Sequence, residues 1–362
     1  MKVFYILSLF FFSSKVFSFP EMLRHGYTSC ITCHVSPSGG GITTPYGKAL
    51  SKEVLSIWSK TEDDDEEEGY SRFLAPTEHI IFGGNVRSIN VYRNKPIENH
   101  RFIVMQADIE AAFLYENWKI VATAGREEFP VADRFVSRRH YLSYQLTESI
   151  SLRGGRFQHA FGLNTPDHTL PTKEDLGWSH ALSGESYNLE LAMLKENYDV
   201  YVTAIIAHPE GYRTVDETGF SFKGSYIFQE KYRAGLSFFA SMADNAKRFV
   251  TGPFAVIAFS EKFFLLSEVD FQFMRSSLKN TNGMVYYHRL NYEMTQGLHF
   301  YASSDLSYLD FKNDAVKSQG IALGSQIFPI DHFEFNLQWH RTKRVTQKNP
   351  NDVYWLMSHF YF

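Results

Sequence analysis

The sequence predicts an all-β protein: a transmembrane antiparallel β-barrel of about 16 strands, preceded by a small segment of mostly helical or irregular structure. Two observations support this prediction. From His79 to the end of the chain, segments of about ten to fourteen residues alternate apolar and polar side chains, the pattern of strands with one wet and one apolar face. The connections between these segments alternate between very short and long, which is typical of barrels that cross a membrane.

The first 18 residues have the layout of a secretory signal peptide. Lys2 is followed by an apolar run from Val3 to Phe12 and then by a short polar region, and the small side chain of Ser18 gives a cleavage point. The apolar run is too short for a membrane-spanning helix, which needs about 20 residues. We therefore expect residues 1–18 to be removed on export.

Residues 19–60 contain the two cysteines of the chain, in the motif Cys30-Ile31-Thr32-Cys33-His34. The C-x-x-C-H spacing is the attachment signature of c-type haem, in which two thiols add to the haem vinyl groups and the histidine ligates the iron. The motif predicts one covalent haem c, bound by Cys30 and Cys33, with His34 as the proximal axial ligand. A disulfide or thiol pair and half of a zinc site are the alternatives, although zinc usually takes four ligands and a second cysteine pair is absent.

The residues around the motif resemble those of a known family. Arg24-His25-Gly26-Tyr27 precedes the first cysteine, and Val35-Ser36-Pro37, Gly39-Gly40-Gly41 and Tyr46-Gly47 follow the histidine. This stretch, from Pro20 to Lys52, resembles the short monohaem c-type segment at the front of some bacterial outer-membrane barrel proteins. The resemblance implies that haem is attached outside the cytoplasm, in agreement with the predicted export.

A segment as short as residues 19–60 could not bury a sizeable core by itself, so we expect haem to serve as its core. The spacing predicts a helix over residues 46–60 whose packing face is formed by Leu50, Val54, Leu55 and Trp58. The distal iron ligand stays open. The nearest candidates are Met22 and His25, and more distant ones are His79 and His159.

Residues 61–77 begin with an unbroken run of acidic side chains from Glu62 to Glu68. Like charges at this density repel one another and resist packing, so we expect a solvated, flexible linker. Calcium binding and docking of a basic redox partner are the alternatives. Because the rest of the chain is close to neutral, its charge does not indicate nucleic-acid binding.

Residues 78–362 carry the barrel pattern, which is clearest where Phe333, Phe335, Leu337 and Trp339 alternate with Glu334, Asn336, Gln338 and His340. Very short turns are expected near Glu116-Asn117, Thr147-Glu148, Glu196-Asn197, Gln229-Glu230-Lys231, Ser260-Glu261-Lys262, Thr295-Gln296-Gly297 and Pro329-Ile330-Asp331. Longer polar connections are expected at residues 93–99, 127–134, 209–217 and 342–352. Short periplasmic turns and long outer loops are the outer-membrane arrangement.

Aromatic residues support the same fold. Pairs that bracket a short turn, as an interfacial girdle would, are Tyr115 and Trp118, Phe228 and Tyr232, Phe259 and Phe263, and Phe328 and Phe333. The final strand ends at Phe362, and a terminal aromatic on an amphipathic strand resembles the signal that bacterial barrels present to their assembly machinery.

The connection from Gln158 to Glu185 is long enough to fold into the lumen as a constriction. Its histidines, His159, His168 and His180, are a hypothetical metal or haem-facing cluster, although scattered loop histidines usually have no such role. Arg139 and Arg153 are expected to face acidic side chains across the lumen, which are Glu268, Asp270 and Asp305.

Two classes of function follow. The first is electron transfer at the periplasmic face, with the haem iron cycling between its ferrous and ferric states. The second is a passive or gated porin for small solutes, in which the haem segment is a plug or a structural element. The sequence shows no constellation of nucleophile, base and oxyanion donors, so we expect an electron carrier or pore rather than an enzyme.

We expect the barrel to lie in the cell outer membrane, in contact with lipid, with the haem segment in the periplasm. A single haem at one edge cannot carry electrons across an apolar band about 25 Å tall. A periplasmic or multihaem redox partner is therefore expected. A homo-oligomer is expected by analogy with porins alone.

Overall fold

The computed structural model describes residues 20–58, 77–94, 98–128, 133–165, 170–178, 184–208 and 217–362. These residues form one antiparallel sheet that closes on itself, because the first strand pairs with both the second and the last. At the closure Asn85 lies opposite Tyr361. The predicted signal peptide and the run from Glu62 to Glu68 lie outside the described residues.

The first eight strands are β1 (Ile80–Arg93), β2 (Asn99–Tyr115), β3 (Trp118–Glu128), β4 (Asp133–Val136), β5 (His140–Thr147), β6 (Ile150–Phe157), β7 (Ser186–Leu194) and β8 (Tyr198–Ala207). The others are β9 (Thr218–Phe228), β10 (Tyr232–Ala243), β11 (Ala246–Ala258), β12 (Phe263–Ser276), β13 (Thr281–Thr295), β14 (Leu298–Tyr308), β15 (Ser318–Ile327), β16 (Phe333–Arg344) and β17 (Asn351–Tyr361).

The short strand β4 shares one position in the barrel with β5. Both pair with β3, β4 near its far end and β5 near the turn at Glu116. The described strands therefore form a closed antiparallel barrel of sixteen strands with one extra short strand, which confirms the predicted fold class.

The strands are apolar outside and carry many polar side chains inside, although some inward apolar side chains, such as Phe254 and Val256, pack with Leu23 and Leu163. Glu190, Thr203 and Ser221 are fully buried on inward positions, whereas Leu191 and Phe220 beside them are exposed. Apolar side chains that point away from a closed barrel are typical of a surface that contacts lipid. Among the described residues, no helix is both long and apolar enough to cross a membrane.

All seven predicted short turns lie at one end of the barrel, between the strand ends where the sequence predicts them. The alternation of short and long connections is not strict, because only two residues join β10 to β11 at the other end. The strand ends that flank the four predicted long connections lie at the other end. Most of the aromatic residues beside the short turns are exposed, among them Tyr115, Trp118, Phe228 and Phe259. Phe328 differs from the prediction, because it is buried against the N-terminal residues instead of facing outward.

Residues 20–58, here called the lumenal segment, lie inside the barrel and not beside it. The expectation that they form a separate segment outside the barrel is therefore wrong, because their side chains and backbone contact the inner wall. Their helical parts are 3-10 turns at Pro20–His25 and Cys30–Thr32, a helix α1 at Pro45–Leu50 and a π-helical turn at Ser51–Leu55. Another short helix, α2 (Pro171–Glu174), and a 3-10 turn at Asp314–Val316 follow later in the chain.

The helix predicted over residues 46–60 ends at Leu55, earlier than expected. Leu50 and Leu55 are buried as predicted, but Trp58 is 69% exposed. The amide of Ile57 donates to the carbonyl of Phe328 at 2.9 Å, and the amide of Trp58 donates to that of Pro329 at 3.0 Å. The backbone therefore pairs with the turn between β15 and β16 and does not continue the helix.

The described part of the connection after β6, residues 158–165 and 170–178, is here called the inner loop. As predicted, it folds into the lumen: the amide of Gly162 donates to Ser237 Oγ at 2.9 Å, and the amide of Leu163 donates to Glu268 Oε2 at 3.0 Å. From the other side, Asn164 Nδ2 donates to the carbonyl of Ser38 at 2.7 Å. The inner loop and the lumenal segment thus touch inside the barrel.

Gly162→Ala is expected to release the inner loop from β12. Gly162 has a φ of +55°, and a β-carbon there would overlap the Glu268 carboxylate that holds Leu163. We expect a cost of about 1–3 kcal/mol and faster proteolysis of the inner loop. Gly154→Ala is the matched control, because its β-carbon would lie 3.6 Å from Leu189. Equal proteolysis of both variants would contradict this role for Gly162.

Candidate functional site in the barrel lumen

The lumenal segment follows the inner wall through most of one circuit. In chain order it contacts β13 through Arg24, β10 through Thr28, β8 through Pro37, β6 through Ser36 and Ser38, β1 through Lys48, and β17 through Ser51. Its last residues meet the turn between β15 and β16. The segment is therefore held by strands from all around the barrel.

Buried charges anchor the segment at two points. Arg24 pairs with Glu293 and donates to the carbonyl of Glu261. Arg153 pairs with Glu190 at 2.5 Å and donates to Ser36 Oγ at 2.9 Å and Ser38 Oγ at 3.2 Å. The sequence suggested that Arg153 faces acids across the lumen, but its partner is on the adjacent strand β7.

The Cys30–Thr32 turn brings the motif residues together. The amides of Cys33 and His34 both donate to the carbonyl of Cys30, at 3.3 and 3.0 Å. The chain then returns to the motif, because the amide of Thr44 donates to the carbonyl of Cys33 at 2.8 Å. Thr44 also caps α1 by accepting from the amide of Gly47 at 3.1 Å.

Glycines allow the reversal between His34 and Thr43. Gly39, Gly40 and Gly41 have φ angles of +81°, +72° and +69°, the left-handed region that other residues rarely adopt. A β-carbon on Gly39 would lie 3.5 Å from Cys30 Sγ and 3.9 Å from His34 Cδ2. The backbone thus passes close to the thiol and the imidazole without a side chain between them.

Cys30, Cys33 and His34 line one cavity in the lumen, with a volume of about 190 Å³. The two thiols are not bonded to each other. Burial lowers the pKa of His34 to about 4, so its imidazole is neutral near pH 7, the form that ligates a metal. Burial raises the pKa of the Cys30 thiol, which nearby Arg233 and Lys223 oppose. The geometry fits the attachment of haem, since both thiols and the histidine open on the same space.

Of the two candidate distal ligands near the motif, Met22 lines this cavity and is buried beside Cys33. His25 is not among the described residues that line it. His359 lines the cavity as well and was not anticipated, but its two nitrogens lie 3.1 Å from Glu334 Oε2 and 3.0 Å from Asn85 Oδ1. Met22 therefore remains the better placed of the two sequence candidates.

The more distant histidines do not gather at the cavity. His79 lies at the start of β1 beside Phe113 and Tyr115, and His159 packs on Trp178. His168 and His180 lie outside the described residues. Within the described ranges, no group of three or more His, Cys, Asp or Glu side chains is arranged to hold a metal ion.

The sequence did not reveal how strongly basic the cavity wall is. The Lys and Arg side chains that line it are Arg87, Arg138, Arg139, Arg153, Lys173, Lys223 and Arg233, against the acidic Glu185 and Glu334. Alternation predicts which of the strand residues point inward, but not that the fold gathers them around one space. Such a wall favours ligands with negative charge.

No protein-family model matches the chain, and no curated protein matches its sequence. Solved structures do match. A loop L8 deletion mutant of the outer-membrane protein OmpT of Vibrio cholerae is 9% identical, with 78% of this chain and 99% of that chain covered and a TM-score of 0.60. OprB of Pseudomonas putida is 9% identical, with 86% and 99% covered and a TM-score of 0.62.

A third solved structure of this kind is an anion-selective porin from Comamonas acidovorans. It is 11% identical, with 78% of this chain and 99% of that chain covered and a TM-score of 0.58. At such low identities these likenesses concern the fold alone. The chain therefore has a porin-like outer-membrane β-barrel fold.

Proposed function

We propose that this protein binds one haem c covalently inside the lumen of an outer-membrane barrel and uses it for electron transfer. The observation that carries this proposal is the common cavity lined by Cys30, Cys33 and His34. When bound, haem supplies one-electron redox chemistry at its iron. The thiols of Cys30 and Cys33 would hold the group in place, and the neutral imidazole of His34 would ligate its iron.

The outward apolar surface and the barrel fold support a location in the outer membrane, in contact with lipid. We place the haem segment in the lumen at the end with the short turns, which is the periplasmic end of such barrels. This position shortens the path across the membrane compared with a haem held below the barrel. A periplasmic or multihaem redox partner remains part of the proposal, as does a homo-oligomer.

The lumenal segment and the inner loop both serve this function. They fill the lumen around the cavity and hydrogen-bond to each other through Asn164 and Ser38. By limiting the water that reaches the cavity, they would keep a bound redox group in a less polar environment, which tunes its potential.

A second candidate function is a plugged or gated porin, and the basic cavity wall favours it. A passage lined mainly by Lys and Arg side chains would admit anions. One of the similar solved structures is an anion-selective porin. In this alternative, the lumenal segment would close the passage and its cysteines would have a structural or redox-gating role.

The test is a pyridine haemochrome spectrum of denatured protein purified from the outer membrane of a haem-competent host. We expect a c-type band that stays with the native chain and is lost in a Cys30→Ser, Cys33→Ser variant. Ile31→Val, which keeps both thiols and the histidine, is the matched control and should retain the band. If the native chain carries no haem, electron transfer fails as its function and the porin alternative stands.

A further inference from the structure

Lys223, on β9, is a buried cation that lies against two aromatic rings. Its side chain lines the lumenal cavity and the residue is 6% exposed. Its ammonium group lies 5.9 Å from the centre of the Tyr201 ring and 5.0 Å from that of Phe254, and it makes no hydrogen bond or ion pair with any described residue. A buried ammonium without an acceptor is costly, so a partner is expected from beyond the described residues.

The neighbours of Lys223 do not supply that acceptor. Asp199, the carboxylate with the largest electrostatic effect on Lys223, accepts a hydrogen bond from Ser225. Arg233, on β10, adds a second positive charge to the same part of the wall and donates to the carbonyl of Thr28. Asp199 and Glu268, the two acids that act on Lys223, do not line the cavity, whereas Lys223 and Arg233 do. The wall at this point therefore presents positive charge to the cavity, which suits an anion.

The rest of the cavity wall also carries mainly positive side chains. Arg139 and Arg153 line the cavity, while their partners Glu110 and Glu190 are fully buried behind them and do not line it. Of the acids that do line it, Glu334 already interacts with Gln326 and His359. The cavity thus presents donors and positive charge to whatever occupies it.

We propose that the lumenal cavity is a carboxylate-binding site in which Lys223 donates to a carboxylate oxygen of the ligand and Arg233 adds positive charge. The carboxylate has two sources: the propionate groups of a haem attached to Cys30 and Cys33, or a free organic anion that enters the lumen. The first source rests on the proposed function, whereas the second does not.

The experiment measures the binding of succinate by titration calorimetry at low ionic strength. It uses the native chain and the haem-free Cys30→Ser, Cys33→Ser chain, both in detergent. Lys223→Gln is then made in each. We expect the haem-free chain to bind succinate and Lys223→Gln to weaken that binding about tenfold or more, since a charge-assisted hydrogen bond is lost. Lys223→Arg keeps the charge and should retain binding.

Lys231→Gln is the matched control, because Lys231 is exposed in the turn between β9 and β10. If only the haem-free chain binds succinate, the propionates fill the site in the native chain. If the haem-loaded chain also binds it, the site takes a free anion. The absence of Lys223-dependent binding from both chains would overturn the inference.

Two further results keep this inference separate from the proposed function. A native chain without haem would remove the proposed function and the propionate source, but succinate binding would still test the site. If Lys223→Gln converts the ferric haem from low spin to high spin, then Lys223 is an iron ligand and not an anion donor. That spectrum would overturn the inference while supporting haem binding.

Discussion

A chain that lacks residues 20–58 but keeps residues 1–19 is expected to form an open channel. Barrels of 16 to 18 strands leave an aqueous lumen when nothing fills it. Here the lumenal segment contacts strands all around the wall, from Arg24 on β13 to Ser51 on β17. We therefore expect the flux of small solutes through liposomes to rise on the order of tenfold or more.

The Cys30→Ser, Cys33→Ser variant is the control for this deletion. It keeps the whole segment and its wall contacts, and Ser replaces a thiol by a group of similar size. It should stay as closed as the native chain, which would separate the steric effect of the segment from any effect of haem. If the native chain and the deletion conduct equally, the segment does not close the lumen.

Arg153→Met is expected to cause the largest loss of stability of any single substitution at the wall of the segment. Arg153 is 2% exposed, and its guanidinium is the partner of the fully buried Glu190 and of two serines of the lumenal segment. Removing one member of a buried pair leaves an uncompensated charge, at a cost of about 3–5 kcal/mol. Guanidinium unfolding of the barrel in detergent measures this loss.

A double variant distinguishes the lost pair from the lost contacts. Arg153→Met with Glu190→Met removes both charges, so much of the stability should return. The bonds to Ser36 and Ser38 stay broken, so proteolysis of the lumenal segment should remain faster than in the native chain. Arg101→Met, at an exposed site on β2, should change neither measurement. Equal stability of Arg153→Met and the native chain would show that the pair contributes little.

The barrel was predictable because its signal is local. Alternation along one strand and the length of one turn do not depend on distant residues, so the strand ends around Glu116 and Gln296 could be placed from the sequence. The motif from Cys30 to His34 is equally local. Its residues do line one cavity, as their shared chemistry requires.

The position of the segment was not predictable from the same signals. An inward polar residue such as Tyr201 has the same place in the pattern whether it faces water or donates to the carbonyl of Pro37. For the same reason the sequence predicts the wrong exposure for two aromatic residues: Phe328 is buried and Trp58 is exposed. Each depends on a contact between residues far apart in the sequence, as does the basic wall around Lys223.

The route of the lumenal segment also sets an order of events during biogenesis. Cys30 and Cys33 open on a space enclosed by the barrel wall, by Gly39 and by the inner loop. Under the proposed function, an enzyme that joins a haem to these thiols would have to act before the segment docks. Haem attachment would then come before closure of the barrel around the segment, and a fully folded haem-free barrel would no longer be a substrate for that enzyme.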